Sequence, residues 1–68
     1  MSSKIGDNIR KLRQQKKISQ DRLSKEADLA LNTIVKIETG EKPNPTIETL
    51  TKIARALGVS VGDLFKKY

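Results

Sequence analysis

The residues of this sequence best suited to chemistry lie between Ser19 and Gly40, and they carry hydrogen bonds rather than bond-making. Leu31, Asn32, Thr33, Lys36 and Thr39 bring amide, hydroxyl, methyl and ammonium groups into one short stretch. Ile34 and Ile37, at i and i+3, occupy one edge of that stretch, so on a helix the polar set falls on the other face. An amide can pair with two polar atoms at once, a leucine can rest against a methyl group, and an ammonium attracts phosphate. Those are the demands of nucleic-acid base edges and of the backbone beside them. Bond-making chemistry finds little to work with. The 68-residue chain contains no His and no Cys, which excludes His-based triads, thiol chemistry, disulfides, haem ligation and zinc clusters within it. The four glycines stand isolated at 6, 40, 58 and 62, so there is no glycine-rich phosphate loop. A carboxylate-pair hydrolase needs a cleft that so short a chain rarely forms. The expectation is a non-enzyme with no cofactor and no small-molecule ligand.

Length and charge narrow the choice further. A chain of 68 residues makes one domain, 1–68, and at that size it buries only about 60% of its unfolded surface. Hydrophobic residues at 35% and charged residues at 32% suit a small helical core better than a disordered tail. The net charge of +6 falls entirely within residues 1–25, and residues 26–68 are neutral. Such a cluster is either a solvated face or the field that meets a polyanion. A membrane is a poor partner for it. The longest apolar run is Leu29-Ala30-Leu31, and the apolar edge of the first basic stretch is only Ile5, Ile9 and Leu12, without Trp or Phe. No signal-peptide core opens the chain. A cytoplasmic location is expected.

Five short helices must position these groups. Ser2 or Ser3 can cap a first helix carrying Ile5, Ile9 and Leu12, which ends near Lys16-Lys17, where cations suit the negative end of the dipole. Ser19 is placed as the N-cap of a second helix over 20–27, with Leu23 and Ala27 inward. A third helix runs from Leu31 to Glu38 or Thr39, and Gly40 can take the left-handed turn after it. Gly-Glu-Lys-Pro-Asn-Pro then reads as a loop. Thr46 caps a fourth helix over 47–57, whose single stripe holds Ile47, Leu50, Ile53, Ala54 and Leu57. After Gly58, Ser60 and Asp63 form a capping-box pattern ahead of a short fifth helix with Val61, Leu64 and Phe65. No segment alternates with period two, so no strands are expected.

In this order the pieces resemble the phage-repressor/Cro type of helix-turn-helix, also called XRE-like. The matching segments are Ile9-Arg10-Lys11-Leu12-Arg13, Ile18-Ser19-Gln20, Ile34, Ile37-Glu38-Thr39-Gly40, and Ile53-Ala54-Arg55-Ala56-Leu57-Gly58-Val59-Ser60. They extend over residues 5–65. Each is weak alone; together at the family spacing they are specific. The resemblance implies an all-α, compact five-helix domain with its helix-turn-helix at helices 2 and 3. It implies double-stranded DNA as partner and a transcriptional regulator, a repressor at a palindromic operator, acting as a homodimer. Leu31, Asn32, Thr33 and Lys36 match base-facing positions. Gln20 matches a glutamine that binds phosphate and buttresses the third helix, while Thr39, Gly40, Lys42 and Asn44 match phosphate-gripping positions. Arg13 and Glu38 match a structural ion pair.

Two residues depart from the family pattern. Asp28 stands where glycine is usual in the turn, and Ala30 stands at the third helix's N-cap, where Ser or Thr is favoured. They leave open whether Leu31 or Asn32 reaches deepest, and Leu31 belongs to the core if the helix is rotated by one residue. Val61 and Phe65 are assigned to a dimer contact, with core or tail as the other possibility for them and for Tyr68. The competing reading is an antitoxin-like or adaptor module whose charge meets an acidic protein.

Overall fold

Among the described residues, Ser19, Thr46 and Ser60 cap the helices that follow them, and each α-helix stops where the backbone turns left-handed. The computed structural model describes residues 4–42 and 44–66. The expected Ser2 or Ser3 cap and Tyr68 lie outside the described residues. Helix α1 spans Lys4–Gln15, α2 Gln20–Ala27, α3 Leu31–Thr39 and α4 Ile47–Leu57. Ser19 accepts from the Arg22 N–H at 3.0 Å and Thr46 from the Thr49 N–H at 3.1 Å, each satisfying a donor the helix leaves open. At the other ends a shared device recurs. Lys17, Asp28 and Gly58 all have positive φ, and the N–H of the next residue reaches back past them: Ile18 to Arg13 O, Leu29 to Ser24 O, Val59 to Ala54 O. This is the Schellman closure, and its usual apolar contact is present, because Ile18, Leu29 and Val59 are half-buried against the core.

The fifth helix needs correction. Val61–Phe65 is a 3-10 helix, so the described residues form four α-helices and one 3-10 turn. So short a segment gains little from an i→i+4 ladder and closes with i→i+3 bonds instead, Asp63 N–H to Ser60 O and Lys66 N–H to Asp63 O, while Gly62 in its midst adds backbone freedom that opposes an α-helix. Its entry is still as expected: Ser60 and Asp63 bond reciprocally, Asp63 N–H to Ser60 Oγ at 3.2 Å and Ser60 N–H to Asp63 Oδ2 at 3.0 Å. The Lys66 ammonium, hydrogen-bonded to Asp63, is the first cause that holds this carboxyl below its usual range, and the Ser60 N–H is the second.

The core joins Ile5, Ile9 and Leu12 of α1, Leu23 of α2, Ile34 and Ile37 of α3, Leu50, Ile53 and Leu57 of α4, and Leu64. Helix α1 packs on α3, α2 packs on both α3 and α4, and the 3-10 helix closes against α1 and α4. Ile47 departs from its expected place in the inward stripe: it is 67% exposed. A stripe fixes which side of a helix is apolar, not how far the neighbouring elements extend along it. Ile47 is the first residue of α4, one turn before the covered Leu50.

Candidate nucleic-acid interface

Helix α3 is short, nine residues, and no side chain caps its N-terminus at Ala30. An isolated helix of that length is marginal in water, so tertiary contacts must hold it. Ile34 and Ile37 supply the apolar share, and Glu38, 2% exposed, supplies the polar one. Arg13 of α1 clamps that carboxylate with two bonds, Nε to Oε2 at 2.8 Å and Nη2 to Oε1 at 3.1 Å. Gln20, at the start of α2, donates Nε2 to Oε1 at 3.1 Å. The remaining arm of Arg13 donates Nη1 to Ile18 O at 2.9 Å, across the α1–α2 turn. A buried charge is tolerated when it is paired and its lone pairs are filled, as here. One carboxylate thus ties α3 to both preceding helices. Planar, bidentate pairing also fixes orientation, which a lysine in place of Arg13 could not do.

With Ile34, Ile37 and Glu38 turned inward, helical spacing puts Asn32, Lys36 and Thr39 at i, i+4 and i+7 on the opposite face. Asn32 and Lys36 are exposed, and Leu31, 42% exposed, stands on the outside rather than in the core. Asp28 takes the left-handed conformation itself, at φ 57°, so the turn keeps its shape without glycine. Thr33 is half-buried and looks toward the loop, where it lines a groove of about 270 Å³ with Ile37, Lys42, Asn44, Thr46 and Thr49. Val35, half-buried, neighbours Leu31 at i+4 and Asn32 at i+3 and edges the same outer face. Its apolar type hid it from sequence reasoning, although that spacing was available to find it.

The phosphate candidates separate by how much of their chemistry is already used. Lys42 and Asn44 are exposed in the loop, and Gly40 turns the chain there at φ 85°. The Thr39 hydroxyl donates to Lys36 O at 3.1 Å and accepts from the Glu41 N–H at 3.4 Å. Gln20 is engaged with Glu38, so it acts as a buttress in this structure. Lys36 lies 3.9 Å from Glu41, a loose exposed pair.

Three cations of the first two helices are already balanced: Arg10 by Asp7, Arg22 by Glu26, Lys25 by Asp21. Lys11, Lys16, Lys17, Lys42, Lys52 and Arg55 form no ion pair with another described residue. The unbalanced charge is therefore less confined to the first third of the chain than the sequence count suggests. Of the two residues assigned to a dimer contact, Val61 rests half-buried against the core and Phe65 is 58% exposed. No described helix is long and apolar enough to cross a membrane.

Comparison with known proteins points the same way as this geometry. The helix-turn-helix family profile matches residues 9–64. An immunity repressor protein of Bacillus phage phi105 is 33% identical over 57 residues, covering 84% of this chain but only 39% of the repressor. This chain therefore spans well under half of the phage protein's length. A helix-turn-helix-type transcriptional regulator of Sinorhizobium fredii is 33% identical over 60 residues, 88% of this chain and 77% of the regulator. The crystal structure of the restriction-modification controller protein C.AhdI from Aeromonas hydrophila superposes with a TM-score of 0.87 at 31% identity, covering 91% of this chain and 92% of that one. With the family profile matching residues 9–64 and a braced α3 behind a free polar face, the protein belongs to the helix-turn-helix family.

Proposed function

We propose that this chain reads a specific double-stranded DNA sequence in the cytoplasm as a homodimer, and that it represses by occupying a palindromic operator. The observation that carries the reading is the division of α3. Its inner face is fixed by the buried Glu38 network. Its outer face offers Leu31, Asn32 and Lys36, with Thr33 toward the groove beside them.

A rigid helix with an uncommitted polar face can enter a major groove about 12 Å wide and keep its register there. Asn32 suits adenine, whose N6 and N7 it can pair with together; Leu31 suits a thymine methyl. Lys42 and Asn44, with Gly40 and Thr39 behind them, suit the flanking phosphates. Gln20 would add a phosphate contact through what its bond to Glu38 leaves free. Lys11, Lys16 and Lys17 contribute field, which raises the rate of encounter and makes affinity salt-dependent. Phe65 and the exposed edge of Val61 would meet a second copy, setting two reading helices about 34 Å apart for successive major grooves.

Selection of bound duplexes from a random pool tests the whole reading. A palindrome with half-sites one helical turn apart is the expected product. Binding to the selected duplex no tighter than to random DNA at physiological salt would overturn it.

A further inference from the structure

Asn8 is the only buried polar side chain of α1 among the described residues, at 5% exposed. It takes no part in the Glu38 network and reaches instead to the 3-10 helix. Its Nδ2 donates to Leu64 O at 2.8 Å and to Lys66 O at 2.6 Å, spending both hydrogens on backbone more than fifty residues away. Burying an amide is costly unless it is bonded, and an apolar residue would serve if α1 needed only packing at this position. The two carbonyls flank Phe65. On one side Leu64 is wholly buried; between the two clamped peptide units Phe65 stands 58% exposed. The end of a five-residue 3-10 helix is the kind of segment that frays. Here a side chain from another helix pins it on both sides of its one large exposed residue.

We infer that Asn8 is a positioning residue for self-association: it fixes the backbone that presents Phe65 to a second copy of this chain without itself lying at the contact. The inference rests on the dimer reading proposed above. An aromatic side chain held on an already ordered backbone loses less freedom on association than one on a frayed end. The consequence extends to DNA. Helix α1 holds the Phe65 segment through Asn8 and holds α3 through Arg13 and Glu38. A single helix thus links the self-association element to the reading helix, and the spacing between two reading helices in a dimer passes through it.

Self-association of the wild type, Phe65→Ala and Asn8→Ala, measured by sedimentation equilibrium well below each melting transition, tests this. Affinities for a full selected palindrome and for a duplex carrying one half of it accompany each measurement. Asn8→Ala, which removes both bonds, is expected to raise the self-dissociation constant by about ten-fold, because part of their ordering effect is felt on association. Palindrome binding should weaken with it while half-site binding holds. Asn8→Ser, which keeps one donor, should fall between wild type and Phe65→Ala, and it decides the matter if Asn8→Ala does not fold. Wild-type self-association in the folded Asn8 variant, alongside dissociation of Phe65→Ala, overturns the inference alone. Equal weakening on palindrome and half-site also overturns it, since that is the mark of a general loss of structure. If Phe65→Ala leaves self-association intact, the contact face itself is misassigned, and the inference falls with it.

Discussion

The two faces of α3 are built on opposite plans. The inner face is saturated: Ile34 and Ile37 are enclosed, and each oxygen of Glu38 receives at least one donor from Arg13 or Gln20. The outer face is unspent. Among the described residues, the Asn32 amide has no hydrogen-bond partner within the domain, and Lys36 has only a long pair with Glu41. The difference teaches where stability and recognition are separated in so small a molecule. A helix of nine residues has no room for groups that serve both, so what holds it faces one way and what it can bind faces the other.

The hardest test of that separation is Arg13→Ala. Removing one partner of a buried pair leaves the Glu38 carboxylate buried with Gln20 as its remaining side-chain donor, with an expected loss of about 3–5 kcal/mol of stability. Urea unfolding should show the midpoint drop, and an unchanged midpoint would place the pair among surface contacts of little worth. On the other face, Asn32→Ala should leave stability nearly unchanged. It should remove about 1–3 kcal/mol of discrimination at one base position, seen by comparing selected and singly mismatched duplexes. Equal loss on every sequence would remove Asn32 from base reading.

The start of α3 lies between the two plans. Ala30→Ser supplies the missing cap there and should stabilise by about 1 kcal/mol, detected as a higher melting temperature with unchanged base preference. Lys42→Ala should weaken all duplexes alike and lower the slope of log affinity against log salt by about one unit. A base-selective effect would move Lys42 from the backbone to the reading set. The smallest effect concerns Asp63. Its carboxyl titrates below its ordinary value in the fold, held there first by Lys66 and then by Ser60. Its support for the 3-10 helix is therefore present above the ordinary carboxylate range and is lost as pH falls through the lowered value. Amide exchange around Val61–Phe65 should quicken on acidification, and Asp63→Asn should abolish that pH dependence.

The sequence disclosed where the helices lie better than how their ends are closed. Ser19, Thr46 and Ser60 announce themselves because a hydroxyl capping a helix is a local event, complete within four residues. Gly40 and Gly58 marked two ends for a similar reason. The ends near Lys17 and at Ala27 fall where expected, but glycine is absent there, and the left-handed φ of 58° at Lys17 and 57° at Asp28 was not announced by residue type. What makes those ends is the apolar residue that follows, Ile18 or Leu29, drawn back onto the core. The signal was in the chain as an apolar residue just after a helix, but it has meaning only when a core exists to receive it. The exposure of Ile47 is the converse case, an apolar stripe that outruns its cover.

Much of the candidate site was legible as well, since Leu31, Asn32, Thr33 and Lys36 are set by helical spacing once Ile34 and Ile37 are placed inward. Arg13 and Glu38 lie twenty-five positions apart; their pairing came from resemblance, not from periodicity. Asn8 carried no signal at all, because an asparagine on a helix reads as surface until the segment it bonds is known.

By itself, then, the sequence determined what is local: which stretches coil, where capped starts fall, which chemistry is absent for want of His and Cys, and which face of α3 is free to recognise. Tertiary structure decided what depends on distance. It set how far the core reaches, closing over Leu50 and leaving Ile47 outside. It reduced the last helix to a 3-10 turn, and it clamped that turn from α1 through Asn8. Periodicity is a property of neighbours along the chain, whereas a buried polar bond is a property of two segments that meet only after folding.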